Sequence, residues 1–212
     1  MKSPLTRTIF FIASCVFCSC TSTPKDTSEG GLEQSKDSAS VHERSSDAAV
    51  VPSDSLIIPG RSIGIIELET DAAVVMKKFD KPDAGDAAMG KSVSTWFEGH
   101  DTTAHTVSIF TAKDVGNSET ALIKQIRVTA PGFKTQQGIG TTASLPELEK
   151  TFNLQKQKGY KLKQEEVAVY ADPAGIAFEI DKKGRCIGIV VYPTGELHPD
   201  TYARFLPGIS IQ

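Results

Sequence analysis

Apolar and polar residues alternate with period two in six runs of the chain, 92–99, 105–112, 121–130, 166–172, 175–181 and 185–192. Alternation rich in β-branched residues predicts strands that bury one face. The links between neighbouring runs are shorter than the dozen or so residues a parallel crossover needs, so neighbours are expected to pair antiparallel. Asp181-Lys182-Lys183-Gly184 fits a hairpin turn with glycine at the left-handed position. A short helical signal precedes each set of three runs. Asp71 and Ser144 are N-cap residue types, Ser144 and Glu147 have capping-box spacing, and Pro146 suits a first turn. Val75 with Phe79, and Leu148 with Phe152, stand four apart and give each helix a narrow apolar stripe. Pro82 ends the first helical stretch.

Residues 62–79 can be laid over 137–152, so that Asp71 meets Ser144, Val75 meets Leu148 and Phe79 meets Phe152. The expected fold is therefore α+β: two tandem repeats, each a short helix or helix pair packed on a three- to four-stranded antiparallel sheet. The first repeat covers 57–134, and the second, with a C-terminal tail, covers 135–212. Alternation assigns Val93, Thr95, Phe97, Val107, Ile109, Ile126 and Val128 to a core under the helices. Val167, Val169, Ile176, Phe178, Ile180, Ile187, Ile189 and Val191 join them from the second repeat. Trp96, Phe110, Gln125, Arg127, Tyr170, Glu179, Cys186 and Tyr192 fall on the opposite face. Aromatic residues and arginine dominate protein-binding hot spots, so Trp96, Phe110, Arg127, Tyr170, Glu179 and Tyr192 are the expected partner-binding residues on an open sheet face. The Lys-rich segment 153–164 reads as a solvated loop, with attraction to anionic lipid headgroups as a second reading, and Tyr202, Phe205 and Leu206 are expected to dock the tail.

The N-terminus carries an address. Lys2 and Arg7 precede the apolar run 9–17, which is too short for a permanent membrane span of about 20 residues and matches an export signal. Phe17-Cys18-Ser19-Cys20 resembles a bacterial lipobox, implying a signal peptide at 1–19 and a covalent lipid on Cys20. Cys18 offers a competing cleavage site, and a secreted protein cut near Ser19 is the unlipidated alternative. Residues 20–56 comprise the anchor and a polar segment whose stretch from Thr21 to Ser55 lacks aromatics. It cannot bury enough apolar surface to offset backbone ordering, so it is expected to be a disordered tether. Lys25-Asp26 lies where some outer-membrane lipoproteins carry a surface-export signal.

Composition narrows the chemistry. The 212 residues hold 23 Lys and Arg against 26 Asp and Glu, a formal charge of −3, so the basic excess of a nucleic-acid binder is missing. Of four cysteines only Cys186 lies in the body, which leaves no intrachain disulfide there. His100 and His105, with Glu98 and Asp101, form a local set of metal-ligand types, but their spacing crosses a loop and is unlike helical zinc pairs. Cys186 sits mid-strand, where a thiol is buried and inert, and the glycines of 132–140 lack the Lys-Ser/Thr ending of a phosphate loop. The chain is expected not to be an enzyme and to need no cofactor beyond the lipid.

A lipobox cysteine, a polar tether and a Gly-Ile or Ile-Gly step leading through a capped helix ending in Phe to three antiparallel strands resemble the SmpA/OmlA outer-membrane lipoproteins. They are also similar to the repeats of β-lactamase inhibitory protein. The resemblance covers roughly residues 60–192. It implies a scaffolding or inhibitory protein whose sheet face receives a protein partner. The expected function is thus a lipid-anchored cell-envelope protein, most simply of the outer membrane, that binds another envelope protein without catalysis. The alternatives are an envelope hydrolase or metal enzyme using His100 or His105, and a small-ligand carrier with a pocket between the repeats.

Overall fold

The computed structural model describes Val51, residues 53–162 and 165–195, and the strand at Ser210–Ile211. The expected signal peptide, Cys20, the tether up to residue 50, and Tyr202, Phe205 and Leu206 lie outside the described residues.

The main architecture is one nine-stranded sheet in which every neighbouring pair is antiparallel. A small sheet precedes it in the chain. Its strands are β1 (Leu56–Ile58), β2 (Ser62–Ile63), β3 (Ile66–Glu67) and, much later, β8 (Lys134–Thr135), in the order β3-β2-β1-β8. Helix α1 (Ala72–Met76) leads into a meander of β4 (Ala84–Ala88), β5 (Lys91–Phe97), β6 (Thr106–Lys113) and β7 (Ala121–Val128). Helix α2 (Leu145–Thr151) leads into a second, of β9 (Gln155–Leu162), β10 (Glu165–Asp172), β11 (Ile176–Ile180) and β12 (Cys186–Val191). The last strand, β13 (Ser210–Ile211), adds outside β9. The order across the large sheet is β13-β9-β10-β11-β12-β7-β6-β5-β4, so the meanders meet at a central seam where Ile126, Arg127 and Val128 pair with Val191, Val190 and Ile189.

This corrects the expected α+β class. The described residues are mostly β, with one continuous large sheet in place of two tandem helix-on-sheet repeats, and the α-helices among them, of five and seven residues, are too short to form a layer. The capping signals do start helices where they should: the Asp71 carboxylate accepts the Ala73 amide at 2.9 Å, and the Glu147 carboxylate accepts the Ser144 amide and hydroxyl. What limits α2 is its exit. Phe152 takes an extended conformation and starts the chain into β9, so the Lys-rich segment expected to be a loop is a strand, with Tyr160 buried.

One side of the large sheet shares a core with the helices and the small sheet. Ile57, Ile63, Ile66, Val75 and Leu148 pack in one cluster with Ile109, Ile126, Val128, Phe178, Ile189 and Val191. Phe79 lies against Trp96 and Phe152 against Phe178, with ring centroids 5.4 and 4.9 Å apart. On the other side Tyr160, Val167, Val169, Ala171, Ala177, Val190 and Tyr192 form a second cluster, and Val93 with Phe110 a third.

Candidate functional site

The six residues expected on one open face divide between the two sides. Trp96 pairs with Val107 and Tyr170 with Phe178, which places both half-buried on the helix-bearing side, where the Trp96 indole donates to the Asp80 carbonyl at 2.7 Å. Phe110, Arg127, Glu179 and Tyr192 lie opposite, and each is at most 4% exposed. The residues meant to oppose Trp96 and Tyr170 moved with them: Val93, Thr95, Phe97, Val167 and Val169 are on the far side from the helices. The cause is register, because a shift of one residue exchanges every side chain between faces. Bulges add to it. Glu179 pairs with Gly188 but Ile180 with Cys186, so Ile187 is the extra residue, Cys186 joins the helix-side core and Ile187 packs with the other cluster. The expected face is therefore corrected: it is not an accessible platform at these positions.

At the middle of the seam the far side holds a buried fork. The Arg127 Nε and Nη2 donate to Glu179 Oε1 and Oε2 at 2.8 and 2.6 Å, and Nη1 donates to the Thr106 hydroxyl at 3.2 Å. Gly188 makes room for it, since a Cβ there would collide with the Glu179 carboxylate. Beside it, burial and the Glu179 charge push the Tyr160 phenol far above its usual value. Burial likewise raises the Tyr192 phenol to about 12, and its hydroxyl donates to the Asp172 carbonyl at 2.6 Å.

The four residues of the loop set separate. His100 Nδ1 is 2.6 Å from Asp83 Oδ1, a partner at the start of the first meander that sequence spacing did not suggest. Asp83 Oδ2 accepts the Phe97 amide at 2.8 Å. The amide and the His100 hydrogen bond hold the Asp83 carboxyl below its usual range, and the bond to Asp83 raises His100 above 6.5. His100 has φ 61°, the left-handed region. Asp101 instead accepts the Thr103 amide and hydroxyl, and Glu98 donates its amide to the His105 carbonyl. Cys186 is buried, donates to the Gly188 carbonyl, and has its thiol pushed up to about 12 by burial.

His105 contributes to a different feature, an open-mouthed cavity of about 330 Å³ at the end of the seam. Its walls are His105, Thr129, Pro131, Thr141, Thr142, Arg185, Cys186 and Ile187. The cavity exists because the two central strands part. After Val128, Thr129 remains bonded to Thr106 and Pro131-Gly132 breaks the strand, while β12 pairs at its head with the loop 142–144. There the Thr142 amide donates to the Cys186 carbonyl at 2.7 Å and the Cys186 amide to the Ala143 carbonyl at 2.8 Å. Thr142 is held at φ 82°, a strained conformation for a β-branched residue. The Thr141 hydroxyl is buried with no hydrogen-bond partner among the described residues. Arg185 stands at the rim with Nε and Nη2 at 3.3 and 3.1 Å from Asp181 Oδ2. Periodicity carried no sign of this cavity. Its only sequence signal was the Pro-Gly break that releases β7 from its partner.

Comparison with known proteins adds little. No family model and no curated protein matches the chain. Among solved structures, the chain is similar to a 1.5 Å crystal structure of an extracellular protein containing a SCP domain from Bacillus anthracis, with a TM-score of 0.42 and 12% identity. The match covers 66% of this chain and 53% of that one, so the chain spans about half that protein's length. A likeness this distant bears on neither fold nor activity. Among the described residues no helix is long and apolar enough to cross a membrane.

Proposed function

We propose that the protein is a non-catalytic, lipid-anchored protein of the cell envelope that binds a small molecule in the cavity at the end of the seam. The observation that carries this reading is the cavity itself, of a size that suits a metabolite, with a strained threonine in its wall and a buried hydroxyl that has no partner among the described residues. Those residues come from both meanders and from the loop between them, so a ligand there would touch both halves of the chain. The reading supersedes the open-face partner site because four of the six residues named for that site are buried.

Anchoring through Cys20 and residence in the outer membrane complete the proposal, and they rest on the lipobox-like Phe17-Cys18-Ser19-Cys20 and the polar segment after it. Native mass spectrometry of protein purified from its host should show a bound small molecule that is lost in Ile187→Trp, which fills the cavity from its half-buried wall. A host-derived protein of bare polypeptide-plus-lipid mass would count against ligand binding. Metabolic labelling with palmitate should mark the wild type and fail with Cys20→Ala; equal labelling would move the anchor to Cys18.

A further inference from the structure

The chemistry of the cavity wall selects among small molecules. Among the described residues no aspartate or glutamate lines it. Its ionisable side chains are His105, Arg185 and Cys186, and the Cys186 thiol is held protonated by burial. Three threonines, 129, 141 and 142, supply the remaining polar groups. Thr129 Oγ1 accepts the Thr106 amide at 2.7 Å and lies 3.4 Å from the Thr106 hydroxyl, so it is the most engaged of the three. The wall thus carries one fixed cation, Arg185, and no carboxylate among the described residues, with threonine hydroxyls that both donate and accept.

Arg185 has donors to spare. Its two bonds to Asp181 are longer than the 2.7–2.9 Å typical of charge-assisted pairs, and a guanidinium has five N–H donors. Asp181 is itself anchored, because its Oδ1 accepts the Lys183 and Arg185 amides at 2.8 and 2.9 Å and so fixes the hairpin turn. It therefore acts as a positioning residue that holds the guanidinium at the rim without consuming all its donors. We infer that the cavity takes a small carboxylate of about the size of a sugar acid, with its charged end at Arg185 and its hydroxyl groups among the threonines. This rests on the ligand-binding reading above and sharpens it by naming the ligand class. The apolar walls, Pro131 and Ile187, suit the carbon skeleton of such a molecule.

Gluconate and glucose make the test, since they match in size and differ in the carboxylate. The full-length chain in detergent is titrated with each, following the Ile187 methyl resonances, alongside identification of any molecule carried from the host. Gluconate should bind at least about tenfold more tightly than glucose, a difference of about 1.4 kcal/mol. Arg185→Met should erase that preference while leaving the thermal midpoint near wild type, because Arg185 is exposed. Equal affinity for the two probes, or a neutral molecule carried from the host, overturns the carboxylate inference and leaves ligand binding standing. Absence of response to both probes together with an empty host-derived cavity overturns both.

Discussion

The seam between β7 and β12 behaves in two ways within a few residues. Over Ile126–Val128 the strands pair and the far face is sealed, with the Arg127–Glu179 fork each at most 2% exposed. Beyond Val128 the same two strands separate, and the gap becomes a cavity rimmed by exposed polar side chains and a strained Thr142. The ionic groups at the two places have different physical meanings. In the sealed stretch both partners are desolvated, so each depends on the other and neither is available to a ligand. At the open end the Arg185 guanidinium is more than half exposed and keeps water and spare donors, so its attraction to Asp181 is screened and it can exchange partners.

The largest predicted effect tests the sealed stretch. Glu179→Ala should destabilise the protein by about 3–5 kcal/mol in urea titration, because it strands a buried guanidinium. Pairing Arg127→Met with Glu179→Leu should recover most of that loss. A small cost for the single change would show that water reaches the fork. Gly188→Ala should cost about 1–3 kcal/mol, since its Cβ drives into the Glu179 carboxylate. At the open end the sign reverses. Thr142→Gly should raise stability by about 1 kcal/mol by removing left-handed strain, and at the same time weaken ligand retention. A destabilised Thr142→Gly would show that strain is not stored there.

The smallest effect lies away from the seam. His100 should titrate above 6.5 by NMR and fall toward that value in Asp83→Asn. The raised His100 pKa adds stability that is complete below 6.5 and is lost as pH rises through the folded value. The lowered Asp83 pKa adds stability present above 3.8 and lost as pH falls through its folded value. The pair therefore helps most between those limits, and an unchanged His100 midpoint in Asp83→Asn would break the assignment.

Much of the strand content was legible in sequence. All six alternating runs are strands, and the caps at Asp71 and Ser144 start the two helices. Among the described strands, β1, β2, β3, β4, β8, β9 and β13 lie outside those runs, and β4 and β9 show two different reasons. β4 is Ala-Gly-Asp-Ala-Ala, nearly featureless, and is held by the Met89-Gly90 turn, whose positive φ angles of 51° and 75° suit a two-residue hairpin. β9 reads as a lysine loop because Lys156, Lys158 and Lys161 are exposed and hide the strand alternation. The fold class departs from the expected α+β because the two helical signals, each sound as a cap, yield only one or two turns and no helical layer.

Local sequence by itself determined which segments extend, where chains turn and where helices begin, because alternation, glycine and caps act over a few residues. Only tertiary structure decided which face each strand presents, that the meanders share a single sheet, and that Arg127 meets Glu179 across 52 positions. It also decided that β7 and β12 part to leave a cavity. Those outcomes depend on register and on pairing between distant strands, and period-two alternation is the same whichever face is turned inward.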